Sequence, residues 1–159
     1  MRLVGLTLVA VLWSSAAHAA ADVSFSNVES YDDPTFEWPK SKKNRGQVED
    51  ALRKMFTELA GKHLTPGQSL KIDITGIDLA GRIHPGLNPD LRVLDSVTWP
   101  RLNFTYQVIE NGAVIASGEE KLTDLNYLNA FNRSRDSDWL RYERQMVSDW
   151  FRKTLARKA

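Results

Sequence analysis

The side chains able to do chemistry in this chain are few and scattered. Beyond the apolar N-terminus the histidines are His63 and His84, and there is no cysteine. A hydrolytic triad needs a nucleophile, a base and an orienting acid. His63 falls in the last turn of an expected helix, where a cation suits the dipole and can cap carbonyls. His84 stands beside Pro85 without a Gly-x-Ser-x-Gly elbow. Two histidines without cysteine do not make a zinc site. Asp73, Asp78, Asp90, Asp95 and Asp124 could offer oxygen to calcium, but not at the spacing of a calcium loop. Adjacent Glu119 and Glu120 point to opposite faces of a strand, so they cannot act as an acid–base pair. Neither a metal, a cofactor nor a catalytic set is expected; an enzyme reading would rest on Asp or Glu working with His84.

Two features suit recognition better than catalysis. The run from Lys40 through Lys42 and Lys43 to Arg45 precedes a helix, where cations oppose the dipole and add no stability. It is either a solvated loop or a surface for an anionic partner. Trp38-Pro39 and Trp99-Pro100 each set a tryptophan in or beside a long loop. Such a ring either packs as a lid on the core edge or recognises a partner. Trp38, Lys40, Lys42, Lys43 and Trp99 are therefore the candidate binding surface.

The elements that must carry these residues are readable from periodicity. Val23 to Asn27 alternates as a half-buried strand. Tyr31 to Arg45 reads as a loop. Asn44 and Gln47 fit a capping box opening a helix, whose apolar face is Val48, Leu52, Met55, Phe56, Leu59 and Leu64. Thr65-Pro66-Gly67 stops it. Leu70 to Thr75 is a second strand, with Gly76 as a bulge. Gly81 to Pro100 reads as a long loop. Leu102, Phe104, Tyr106 and Val108 share one face of a third strand. Asn111-Gly112 predicts a type I′ hairpin into a fourth, Ala113 to Leu122. Asp124 to Trp139 is irregular, and Leu140 to Leu155 closes as a helix with Met146, Val147, Trp150, Phe151 and Leu155 inward. The expected fold is α+β: a mixed four-stranded sheet, in the order strand-helix-strand-strand-strand-helix, with two helices on one face.

The N-terminus sets the compartment. Arg2, the apolar run Leu3–Trp13 and Ala17-His18-Ala19 have the plan of a cleaved secretory signal over residues 1–21, cut after Ala19 or Ala21. That leaves one domain over residues 22–159. Lys plus Arg number 21 and Asp plus Glu 20. Arg2 is the only charge in the signal, so the mature chain is formally neutral, which argues against a polyanion binder. Export argues against nucleic acid, ATP and NAD. The absence of cysteine excludes a lipoprotein anchor, and no second apolar run could span a membrane.

A succession of short motifs carries a family resemblance. Val23-x-Phe25-x-Asn27 and Tyr31-Asp32-Asp33 open it, and Ile72 to Gly81, Arg92-Val93 and Trp99-Pro100-Arg101-Leu102 follow. Tyr106, Gly118-Glu119, Leu122 to Leu128, Tyr142-Glu143 and Asp149-Trp150-Phe151 complete it. The order resembles the exported bacterial family catalogued as domain of unknown function 3016. The resemblance implies a signal-bearing envelope protein of gram-negative type and assigns no activity. One departure, Gly76 where that family's motif carries Asp, argues against a carboxylate cluster there.

If strands two and four run parallel, their exits share one end of the sheet, where Asp78, Arg92, Asp124 and Tyr127 could form one polar network. That network would either pin long loops or serve a site. The expectation is a soluble periplasmic binding module for an envelope protein, lipid or glycan. The alternative is a periplasmic hydrolase or small-ligand carrier with a site near the 82–100 loop.

Overall fold

The structure, a computed structural model, describes residues 20–37, 42–83, 92–129 and 138–155. The expected signal segment up to Ala19, together with Trp38, Lys40, His84 and Asp90, lies outside these residues. The elements run β1 (Ala20–Phe25), α1 (Pro34–Glu37), α2 (Lys42–His63), β2 (Gln68–Asp78), β3 (Arg82–Ile83), β4 (Arg92–Val93), β5 (Arg101–Glu110), β6 (Ala113–Thr123) and α3 (Arg141–Trp150). A π-helical turn, Phe151–Leu155, prolongs α3.

The main sheet has the order β1-β2-β5-β6. β1 is parallel to β2, and β5 is antiparallel to both β2 and β6. β2 and β6 therefore run the same way, and their ends Asp78 and Thr123 flank Arg101 in register. The alternation in the sequence becomes the two faces of this sheet. Leu70, Ile72, Ile74, Leu102, Phe104, Tyr106 and Val108 are buried on one face. Both long helices cover it: Phe56 of α2 meets Phe104 at 5.5 Å, and Trp150 of α3 meets Phe104 at 4.9 Å, each edge-on. This is the expected two-layer α+β architecture.

Gly76 sits at a register shift in β2, the expected bulge. The carbonyl of Ile74 beside it accepts the Tyr31 hydroxyl at 2.7 Å and the Ser26 amide at 2.9 Å. Burial pushes the Tyr31 phenol well above its ordinary value. Asn111 and Gly112 both have positive φ, 50° and 82°, as a type I′ turn requires.

Three local expectations change. α2 begins at Lys42, so Asn44 lies in its first turn and does not cap it. The segment Tyr31 to Arg45 holds the short α1. The long loop after β2 contains a two-stranded ribbon, Arg82 and Ile83 pairing with Val93 and Arg92. Such two-residue strands leave no periodicity to read.

Candidate functional site

The loops gather at the end of the sheet where β2 and β6 leave it and β5 enters. The chain turns sharply at Leu79-Ala80-Gly81. Gly81 has φ +74°, and a Cβ there would stand 2.6 Å from the Val93 carbonyl oxygen, so the ribbon can close on the corner only through glycine. The Gly81 amide donates to the Thr98 carbonyl at 2.9 Å.

Three ionisable side chains hold this corner. Arg92, on β4, donates to all three of its carbonyls: Leu79 at 3.0 Å, Ala80 at 3.1 Å and Gly81 at 2.6 Å. The same guanidinium pairs with Asp33 at 2.9 and 3.3 Å, Asp33 being 0% exposed. Asp33 is the cap of α1, accepting the Thr35 amide at 2.8 Å with Pro34 in the first helical position. Its other oxygen accepts the Leu79 amide at 2.8 Å. The next amide, Ala80, donates to Glu143 at 2.7 Å. Glu143 lies in the first turn of α3 and is 2% exposed. Burial raises its carboxyl to about 7 against the pull of its hydrogen bonds and of Arg92, with Asp33 adding to the rise.

The Leu79 and Ala80 amides are thus held by two carboxyl groups and the corner's three carbonyls by one guanidinium. Arg92 spends its donors on these partners and on Thr35, which leaves none aimed at a ligand. A set so saturated ties the corner, α1 and α3 together.

The residues expected to form one network have different partners. Asp78 takes Arg101 at 2.6 Å, its cross-strand neighbour. Arg92 takes Asp33. Asp124 turns back on its own loop, accepting the Asn126 amide at 3.0 Å. Tyr127, buried, donates to the Asp95 carbonyl at 2.7 Å and packs edge-on against Tyr142. Burial raises its phenol. Asp95 in turn takes the Thr98 hydroxyl, the Val97 amide and Arg82, and these lower its carboxyl. All four expected residues lie at this one end of the sheet, joined through intermediaries and not to one another.

Of the expected binding surface, Trp99 is half-buried, and Lys42 and Lys43 open α2. His63 stacks on Phe151 at 5.4 Å. Burial, then Arg152 and Lys62, lowers its imidazole, which favours the neutral ring over the cation expected at this helix end. Among the described residues no group of three or more His, Cys, Asp or Glu could hold a metal. Nor is any described helix long and apolar enough to cross a membrane.

Among the described residues, both long helices lie on one face of the sheet and neither covers the other face. A groove of about 480 Å³ crosses it, lined by Asp22, Ser24, Lys71, Asp73, Thr105 and Gln107 among others. Asp73 accepts both the Ser24 and Ser26 hydroxyls, at 2.9 and 2.8 Å.

Asp33 and Glu143 do not stand out as site residues in the sequence, because Asp33 falls in a segment that reads as a loop and Glu143 reads as one polar residue near the start of the last helix. The signals that could have found them are Asp33-Pro34, a helix-opening pair, and the resemblance motifs, which contain Asp33, Leu79 to Gly81, Arg92 and Glu143.

A family model described as "Protein of unknown function (DUF3016)" matches residues 19–153. No curated protein and no solved structure matches the chain.

Proposed function

We propose that this chain, which belongs to the DUF3016 family, is an exported, non-catalytic binding module of the bacterial envelope. In this reading it docks another envelope protein through the loop-bearing end of its sheet. One observation carries it. Of the eight large apolar side chains left exposed among the described residues, six belong to this end: Val93, Leu94, Val97, Leu125, Leu128 and Trp139. The Tyr127–Asp95 bond ties the two loops that bear five of them.

The composition favours a protein over the other envelope partners. Among the described residues, Arg82, Arg92 and Arg101 are already paired with Asp95, Asp33 and Asp78, so these three guanidinium groups are committed within the chain and not free for lipid phosphate. Five of the six apolar side chains are aliphatic, whereas sugar rings are best met by aromatic faces. Aliphatic contacts among neutralised polar groups suit a protein interface. Export is supported by the signal pattern of residues 1–21.

A small-ligand carrier is the second reading. The groove on the sheet face away from the long helices favours it, which would move the ligand from the 82–100 loop to Lys71, Asp73 and Gln107.

The test is in-cell photo-crosslinking from positions 97, 125 and 107, with mass spectrometry of the adducts. A discrete protein adduct from 97 and 125, lost on Val93→Ser with Leu128→Ser, is the expected result. A lipid or glycan adduct would replace the partner class. A small-molecule adduct confined to 107 would favour the carrier.

A further inference from the structure

Two carboxylates and one guanidinium meet around the Leu79–Gly81 corner, and water barely reaches them. Asp33 is 0% exposed, Glu143 2%, and the Arg92 side chain 16%. With all three ionised the cluster would carry one uncompensated negative charge in a dry setting, where an unpaired charge is costly. Asp33 holds the guanidinium directly and receives the Thr35 and Leu79 amides. Glu143 receives the Ala80 amide and its own backbone N–H, and has no direct bond to the guanidinium. The charged groups that act on it from neighbouring elements are Arg92 of β4 and Asp33 ahead of α1; the corner itself contributes the Ala80 amide. Glu143 is therefore where the compensating proton belongs.

The position of this bond matters. Ala80 and Glu143 are 63 residues apart, and their bond fastens the first turn of α3 to the corner. The Gly81 amide, next along, donates to the Thr98 carbonyl of the loop that leads into β5. A protonated Glu143 still accepts the Ala80 amide through its carbonyl oxygen. An ionised one accepts it more strongly, but then needs water, which enters only if the corner lifts from α3.

We propose that Glu143 is a proton-operated clasp: protonated, it holds the β2–β3 corner shut against α3, and as pH rises toward neutrality its ionisation loosens that corner. The device belongs to the fold and does not depend on what the loops bind.

Amide hydrogen exchange on the mature protein, detected residue by residue by NMR and corrected for intrinsic rates, tests it. If the open corner returns Glu143 to its ordinary value, one linked proton lowers the protection of the Ala80 amide roughly tenfold per pH unit between about pH 5 and 6.5, levelling off above 7. Glu143→Gln, which keeps the acceptor oxygen, abolishes this slope. The carboxyl-carbon shift of Glu143 in the unsubstituted protein supplies a second measurement should that variant fail to fold; its midpoint is expected near 7. A slope at Ala80 that survives in Glu143→Gln, protection independent of pH in the unsubstituted protein, or a midpoint near the ordinary carboxylate value would each overturn the proposal.

Discussion

Arg92 reaches Asp33 at 2.9 Å across 59 residues of sequence, and by that one pairing the ribbon after β2 is locked to the cap of α1. Because Asp33 is wholly buried and Arg92 also holds three successive carbonyls, the pair has consequences well beyond a surface ion pair.

Replacing Arg92 with Ala strands a buried carboxylate and leaves those carbonyls without their donor. The expected loss is about 3–5 kcal/mol, the range for breaking a buried pair from one side. At this chain length that lowers Tm by roughly 10 °C or more. Arg92→Lys keeps the charge but not the fork of donors, so it falls between. Calorimetry of the two variants checks the order; an Ala variant melting with the unsubstituted protein would remove Arg92 as the anchor.

Glu143 gives a signed pH effect on global stability. Its folded value, about 7, lies above its ordinary 4.5, so its protonated form contributes stability that is fully present below 4.5 and lost as pH rises toward 7. His63 acts oppositely: its folded value is lowered, so its contribution is present above its ordinary 6.5 and lost as pH falls. The informative quantity is therefore the Tm difference between Glu143→Gln and the unsubstituted protein. It is expected to move in the variant's favour from pH 5 to pH 7.5, and a constant difference would refute the assignment.

His63 itself should titrate below 6.5 by NMR. After burial, the first charge responsible is Arg152, so Arg152→Ala should raise the midpoint toward the ordinary value. No movement would mean that burial against Phe151 dominates alone.

The mature N-terminus is predicted to be Ala20. Cleavage after Ala19 keeps the six β1–β2 pairs of the described residues, whereas cleavage after Ala21 removes Ala20↔Ser69 and Ala21↔Leu70, with Ala21 packed against the core. Intact mass of the exported protein distinguishes the two; a chain starting at Asp22 would show that the strand begins two residues later in the mature protein.

Much of the framework was legible because it depends on neighbours in sequence. Alternation at Leu70, Ile72 and Ile74, and again from Leu102 to Val108, follows from side chains facing opposite ways on a strand. Asn111-Gly112 announced its hairpin because few other residues accept positive φ. The capping box at Asn44 failed because α2 already includes Lys42, which places Asn44 inside the helix and not ahead of it. The expected polar network had the right neighbourhood, since parallel β2 and β6 do bring their exits together. Its bonding pattern was out of reach: Asp78 is taken by the residue opposite it, Arg101, and Arg92 by a residue in a different loop.

The sequence by itself determined the strands, the hairpin, the inward faces of both long helices and the α+β class, because period and turn chemistry are written within a few residues. Only the tertiary structure decided that Asp33 and Glu143 are buried and that they share one corner with Arg92. Burial is a property of what packs over a residue from elsewhere in the chain. A glutamate in a helix's first turn looks the same in sequence whether water or the Ala80 amide faces it, and that difference sets its proton affinity.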